Sequence, residues 1–426
     1  MCYIVADRKR NPAAENRGAQ KTMHEIELKI FFELLRAGML GEKPALDGLL
    51  EPETPWDEKQ VTGLAVRHDV VLTVYAALEG AEESALRSLK QSLKRFYAPR
   101  FAKSVNQSME AELLLQTLES QGIDCLALKG WQMRELYADP LSRSMTDLDI
   151  LIRDYRYEQI GKALEPLGYH GKGHSSWKHD KFVKEPYMMV EMHRRLTDDS
   201  DAIRDWERGI WERAVLEEGC RHRYRMSEED FYLFHLVHMH KDFLNGALGY
   251  RRLADLWLLR KKGEGTDWAQ VSRLLESMGL RRFEEKMARL AAVCFDGAEP
   301  DEDSETLLGF AAGGAVFTDD QRYKLGRMVA LSGKSARRAK LSALISAVFL
   351  PYSRMKAQFP AVEKHPILLP WFWLKRIFRF LRHPAKRLQK LDYSGLDEAR
   401  YEQMRQVFRA GGVLPAKSEE QRGDPE

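Results

Sequence analysis

Cysteine is scarce in this chain. Only Cys2, Cys125, Cys220 and Cys294 occur in 426 residues, widely scattered and with no Cys-x-x-Cys pair. That excludes a disulfide framework or a zinc ribbon and fits the reduced thiols of a cytoplasm. An excess of one charge is missing too. The 67 Lys and Arg face 64 Asp and Glu, for a net charge of +3, which argues against a dedicated nucleic-acid binder while leaving room for local basic patches. The opening MCYIVADRKRNPAAENRGAQ has no apolar core of a secretory signal. No uninterrupted apolar run approaches the roughly 20 residues of a membrane span. No internal repeat is visible. The expectation is a cytoplasmic protein without a transmembrane segment.

Apolar residues make up 44 % and aromatics 10 %, ample for a buried core. At roughly 100–200 residues per domain, the length suggests two to four units. A polar lead-in at 1–21 precedes a helical region at 22–120, where HEIELKIFFELLRAGML, GLAVRHDVVLTVYAAL and MEAELLLQTLES repeat apolar residues every three or four positions. The pattern changes at Gly122. IDCLAL reads as a buried strand, WQMRELY as a helix, DLDILI as a strand, YEQIGKALEPLGY as an amphipathic helix and PYMMVEMHRRL as a third strand. This alternation makes residues 121–215 an α/β unit. A helical region at 216–295 opens on a Ser227-x-x-Asp230 cap. A loop at 296–320, a C-terminal helical region at 321–414 and a polar tail at 415–426 complete the chain.

The acids in the α/β unit carry the chemistry. Asp147 and Asp149 stand two apart on a strand, so both side chains share one face, roughly 6–7 Å apart. Like charges at that spacing call for a cation, and hard oxygen ligands suit Mg²⁺ with substrate phosphates. Glu191 lies between Val190 and Met192, where a charge is costly unless paired or metal-bound. His193 falls on the same face. Lys129 and Gly130 stand where a strand hands over to a helix, a junction that favours phosphate. Arg143, four residues before Asp147, is placed to reach a phosphate oxygen.

LALKGWQMRELYADPLSRSMTDLDILI, then a helix ending in LGY, then VEMHRRL, together resemble the uncharacterised nucleotidyltransferase family of the DNA polymerase β-like superfamily. The resemblance runs from Cys125 to Leu259 and includes HLVHMHKDF and RLADLWLL. It implies an α/β (α+β) nucleotidyltransferase core with a mixed sheet, flanked by mostly helical regions. It also implies Mg²⁺ or Mn²⁺ held by Asp147, Asp149 and Glu191, a nucleoside triphosphate as substrate, and an unidentified acceptor. Glu191 would help activate the acceptor hydroxyl, Lys129 and Arg143 would neutralise pyrophosphate, and His193 would orient Glu191 or touch the acceptor. Better-studied relatives hold triphosphate with a Gly-Ser pair where this chain has Lys129–Gly130, and the gap to the aspartates is longer here. Either the phosphate cradle is remodelled or the donor is not a simple nucleoside triphosphate. Two other readings stay open: an Asp-x-Asp glycosyltransferase using a nucleotide sugar, and a non-catalytic helical scaffold.

Other features have plainer readings. His235 and His238 share a helical face and His240 does not, so core histidines are expected rather than zinc ligands. Asp255 is expected to pair with Arg251 or Arg252. Residues 366–390 carry Lys375, Arg376, Arg379, Arg382, Lys386, Arg387 and Lys390 and no acid, with Trp371, Leu374, Phe378 and Leu381 on one face. This stretch suits packing against the protein, peripheral contact with an anionic membrane, or nucleic acid.

Overall fold

The computed structural model describes residues 17–50, 55–81, 83–173, 178–186, 188–197, 201–314, 319–331, 335–350, 352, 355, 359–381 and 395–415. The start of the lead-in, nearly all of the tail, and Arg382, Lys386, Arg387 and Lys390 lie outside these residues.

Four helices come first: α1 (Arg17–Leu40), α2 (Glu58–Arg67), α3 (Val71–Ala77) and the long α4 (Ser84–Ser120). The Asp57 carboxylate accepts from the Lys59 amide and starts α2, supplying one of the partners a helix N-terminus lacks. A side chain at Gly38 would run into the Thr73 carbonyl, so glycine there sets how closely α1 and α3 approach.

The sheet follows. Strand β1 (Cys125–Ala127) leads into the short helix α5 (Gly130–Arg134), then β2 (Leu148–Ile152) and α6 (Tyr157–Leu164). Next come β3 (His170–Gly171), β4 (His179–Lys184) and β5 (Met188–His193). Two small helices, α7 (Asp201–Arg208) and α8 (Ile210–Arg213), precede β6 (Val215–Leu216) and β7 (Arg223–Arg225). The order is β3-β4-β5-β2-β1-β7-β6, a mixed seven-stranded sheet. β2 runs parallel to β5 and antiparallel to β1, and β7 joins β1 in parallel. The expected mixed sheet between helical regions is therefore present, and through β7 it reaches beyond residue 215.

The two-residue strand period gives each face its own neighbours. Cys125, Ala127, Leu148, Ile150, Ile152, Val190 and Met192 join the end of α4 and α6 in one buried cluster. Leu126, Leu128 and Leu151 join the larger core of the flanking helices. Asp149 shares the parity of Leu151, so it faces that larger side.

Beyond the sheet lie α9 (Glu228–Leu244), α10 (Tyr250–Lys262), α11 (Trp268–Ser277) and α12 (Arg281–Phe295). Ser227 caps α9 through the Asp230 amide, but the Asp230 carboxylate accepts from Trp206 and Arg213 instead of closing the box. Within the span expected to be a loop stands α13 (Glu302–Ala312). Asp301 caps it and Leu307, Ala311 and Ala312 are buried beneath it, a signal that the neighbouring acids and glycines obscure in the sequence. Helices α14 (Asp320–Leu331) and α15 (Ala336–Val348) follow. No described helix is long and apolar enough to cross a membrane.

The helix Leu369–Leu381 does pack its aromatics on the protein, but not by the expected face. It packs through Phe372 on Phe359 and through Trp373 on Phe349. Trp371, Leu374 and Phe378 are exposed.

His68, His235 and His238 are buried in the core, and His240 is half-buried. His68 Nδ1 accepts from the Tyr250 amide, and the two rings lie 4.4 Å apart. His235 Nε2 donates to the Arg252 carbonyl, and His240 meets Phe283 edge-on. Burial lowers His68 to about 3 and His235 and His240 to about 4. Below an ordinary histidine pKa of about 6.5 the unfolded chain binds protons that the folded chain refuses. Stability therefore falls as pH drops from about 6.5 towards 4. Urea titrations across that range should show this slope, and His240→Phe should flatten it by about 1.4 kcal/mol per pH unit, one proton's worth. An unchanged slope in the variant would contradict the assignment.

Candidate active site

Backbone pairing brings the acids together. Asp149 lies opposite Glu191, and Leu151 opposite His193, across the parallel β2–β5 pair. On the other side of β5, Lys181 lies opposite Glu191 and His179 opposite His193. Residues opposite one another share a face, so β2, β4 and β5 present Asp149, Glu191, His193, His179 and Lys181 together. Asp147 stands one residue before β2 rather than within it.

Asp149 and Glu191 each meet a lysine and a histidine on this face. Lys129 Nζ lies 3.0 Å from Asp149 Oδ2, and Lys181 Nζ lies 2.7 Å from Glu191 Oε1. His193 Nε2 is 2.7 Å from Asp149 Oδ1 and 3.6 Å from Glu191 Oε2. Its Nδ1 is 3.2 Å from the Arg195 carbonyl. A carbonyl can only accept, so Nδ1 carries a proton. Nε2 then faces two carboxylates, an arrangement that needs either a second ring proton or a cation. His179 Nδ1 is 3.3 Å from Glu191 Oε2. Ligand atoms of His179, Glu191 and His193 all lie within 4.8 Å of one another.

Electrostatics follow this layout. Burial alone would raise the Asp149 carboxyl, yet Lys129 and the His193 hydrogen bond hold it well below its ordinary value. Burial opposes ionisation of Glu191 as well, but His193 and Lys181 bring it down to about 2. Asp147 is raised, first by burial and then by the charges of Asp149 and Glu191. Burial takes His179 down to about 4 against the pull of Glu191. Among the described residues the ligand atoms that converge are those of His179, Glu191 and His193, a carboxylate and two imidazoles that fit a divalent cation, with Asp149 hydrogen-bonded to His193 beside them.

The structure does not bring Arg143 to this face. Its Nε and an Nη bind both oxygens of Asp255 at 2.9 and 2.7 Å, and Tyr137 Oη donates to the same carboxylate at 2.8 Å. Asp255 thus pairs with Arg143, where the sequence suggested Arg251 or Arg252. The partners of this buried acid lie 112 and 118 residues away in sequence, and local spacing cannot reveal them. Gly130 also has a packing reason. A Cβ there would lie 3.0 Å from Met145 Cγ and 3.1 Å from an Arg143 nitrogen. Lys129 occupies φ 44°, an uncommon region for a residue with a side chain, and from there its ammonium meets Asp149.

His179 and Lys181 were missed in the sequence. The signal is the alternation in HDKFVK, where Phe182 is buried in the opposite cluster and His179 and Lys181 point to the acids. Its charges and proximity to a turn hide it as a strand.

A family model described as uncharacterised nucleotidyltransferase matches residues 54–296, more than half of the chain. The chain belongs to that family. The match is wider than the run of motifs from Cys125 to Leu259, taking in α2 to α4 as well as α11 and α12. No curated protein and no solved structure matches the chain. Within the matched residues, Asp149 of the Asp-x-Asp sequence lies opposite Glu191 of the Glu-x-His sequence across β2 and β5.

Asp255→Asn should leave the Arg143 guanidinium buried without a counter-charge, at a cost of about 3–5 kcal/mol. Urea denaturation of Asp255→Asn beside the Arg143→Met, Asp255→Leu double variant checks this. The double variant should be the more stable of the two. Equal stability of Asp255→Asn and the unaltered protein would show that the pair does not hold this region.

Proposed function

We propose that the chain moves a nucleotidyl group from a nucleoside triphosphate to an acceptor hydroxyl at the Asp147–Asp149–Glu191 face. The observation that carries this reading is the in-register pairing of Asp149 with Glu191, with Asp147 just before the strand, in a chain of a nucleotidyltransferase family. Asp147, Asp149 and Glu191 would hold the divalent cation. The oxygens of Asp147 and Asp149 suit Mg²⁺, while His179 and His193 beside Glu191 extend the choice to a transition ion such as Mn²⁺. A cation bound there supplies positive charge to the triphosphate and lowers the pKa of the acceptor hydroxyl.

The remaining roles belong to the chain's own groups. Asp149 and Glu191, held ionised by Lys129, Lys181 and His193, keep their oxygens available as ligands. Lys129 is the cation nearest the aspartates and suits the phosphate side of the site. The acceptor hydroxyl would pass its proton to Glu191 as its oxygen bonds to the α-phosphorus; the bond from that phosphorus to the bridging oxygen breaks, and pyrophosphate leaves with that oxygen. His193, fixed by the Arg195 carbonyl, positions Asp149 and Glu191. Arg143 has no part in phosphate binding in this reading, because its fork is committed to Asp255.

Thermal unfolding with each nucleoside triphosphate and Mg²⁺ or Mn²⁺ tests the proposal. At about 100 times Kd a ligand stabilises the native state by about 2.7 kcal/mol, a visible rise in Tm. The rise should require metal, occur in the unaltered chain and vanish in Asp147→Asn. A rise with a nucleotide sugar alone would replace this reading with the glycosyltransferase. No response to any donor in either protein would favour the scaffold.

A further inference from the structure

A cavity of about 380 Å³ opens between the end of α2, the middle of α4 and the loop that leads into β2. It lies outside the carboxylate face, yet Thr146 in its wall is the residue before Asp147. Arg100 and Lys103 enter it from α4, one turn apart and so on one helical face, and Arg67 enters from the last turn of α2. Asp69 is the acid in the wall. It serves Arg100 at 3.6 Å and also Arg251. Among the described residues neither Arg67 nor Lys103 has a carboxylate within ion-pair distance. The wall therefore carries positive charge in excess of the one acid.

A second observation is independent of that charge. Ser144 lines the cavity and is only 9 % exposed, and its hydroxyl has no hydrogen-bond partner. Its carbonyl, by contrast, accepts from Arg143 at 3.1 Å and Arg251 at 3.5 Å. A buried hydroxyl without a partner is costly; rotation of the Ser144 side chain into the cavity would let an oxyanion there satisfy it together with the surrounding cations.

We infer that this cavity is a phosphoryl-binding subsite, with Arg67, Arg100, Lys103 and the Ser144 hydroxyl as its donors. The volume admits more than a single phosphate, in the range of small-molecule sites. Two sources share this chemistry: the departing pyrophosphate portion of the donor, and a phosphate carried by the acceptor. Which of them it is rests on the transferase reading; binding of the phosphoryl group does not.

Calorimetric titration of the full chain with inorganic pyrophosphate, with divalent metal chelated, tests the subsite without turnover. The unaltered protein should bind. Arg67→Ala and Lys103→Ala should each weaken binding about tenfold or more, the loss expected for one charge-assisted hydrogen bond, and Ser144→Ala should weaken it less. Far-UV circular dichroism confirms that each variant folds, and Arg67→Lys should recover part of the loss. A second titration uses protein saturated with a non-hydrolysable nucleoside triphosphate and Mn²⁺. Competition assigns the subsite to the donor's phosphates, and additive binding assigns it to a phosphorylated acceptor. Absence of pyrophosphate binding, or equal binding by the unaltered protein and Lys103→Ala, overturns the subsite and leaves metal-dependent nucleotide binding untouched. Pyrophosphate binding without any metal-dependent nucleotide response would instead sink the transferase reading alone.

Discussion

Carboxylates that meet on one face of a sheet repel one another, and the centre of this molecule is arranged around that fact. Asp149 and Glu191 are locked opposite each other by the β2–β5 register, so neither can move away without breaking strand pairing. Two unit charges about 4 Å apart interact by about 4 kcal/mol at an effective dielectric of 20. Lys129, Lys181 and His193 offset part of this for Asp149 and Glu191. Asp147 is left raised by its acidic neighbours. A face so arranged is short of positive charge, and a divalent cation is the natural complement.

The same constraint explains the fastening of the loop before β2. Asp147 is useful only if the backbone leading to it stays fixed against that repulsion. Four successive carbonyls of this loop accept from side chains. Leu141 takes Ser104, Ser142 takes Thr73, Arg143 takes Arg134, and Ser144 takes Arg143. The donors Ser104, Thr73 and Arg134 come from α4, α3 and α5, so the helices on either side hold the entry to the strand. The buried Arg143–Asp255 fork adds α10 to the same anchor. Backbone carbonyls satisfied in this way replace the regular ladder that the loop lacks.

Much of this was legible in the sequence because it is local. Apolar runs around Leu126, Ile150 and Val190 mark the buried strands, and the acids inside them stand out because burial of a lone charge is unfavourable. The motifs from Lys129 to His193 carry the family resemblance, which the match over residues 54–296 supports. What escaped depends on distant partners or on weak strands. β4 hides under the charges of HDKFVK, so His179 and Lys181 went unseen. Arg143 looks like a phosphate ligand by spacing, and only the fold reveals its partner on α10. The cavity beside Ser144 draws its cations from α2 and α4, well before the strand it adjoins.

The central claim is that the β2–β5 carboxylates hold a divalent cation. The most direct measurement is calorimetric titration of Mn²⁺ into the unaltered protein and into Glu191→Gln, with both folds checked by circular dichroism. The account predicts Mn²⁺ binding by the unaltered protein and a loss of at least about tenfold in the variant, the size of one charge-assisted ligand. Equal Mn²⁺ affinity in the two proteins would contradict it.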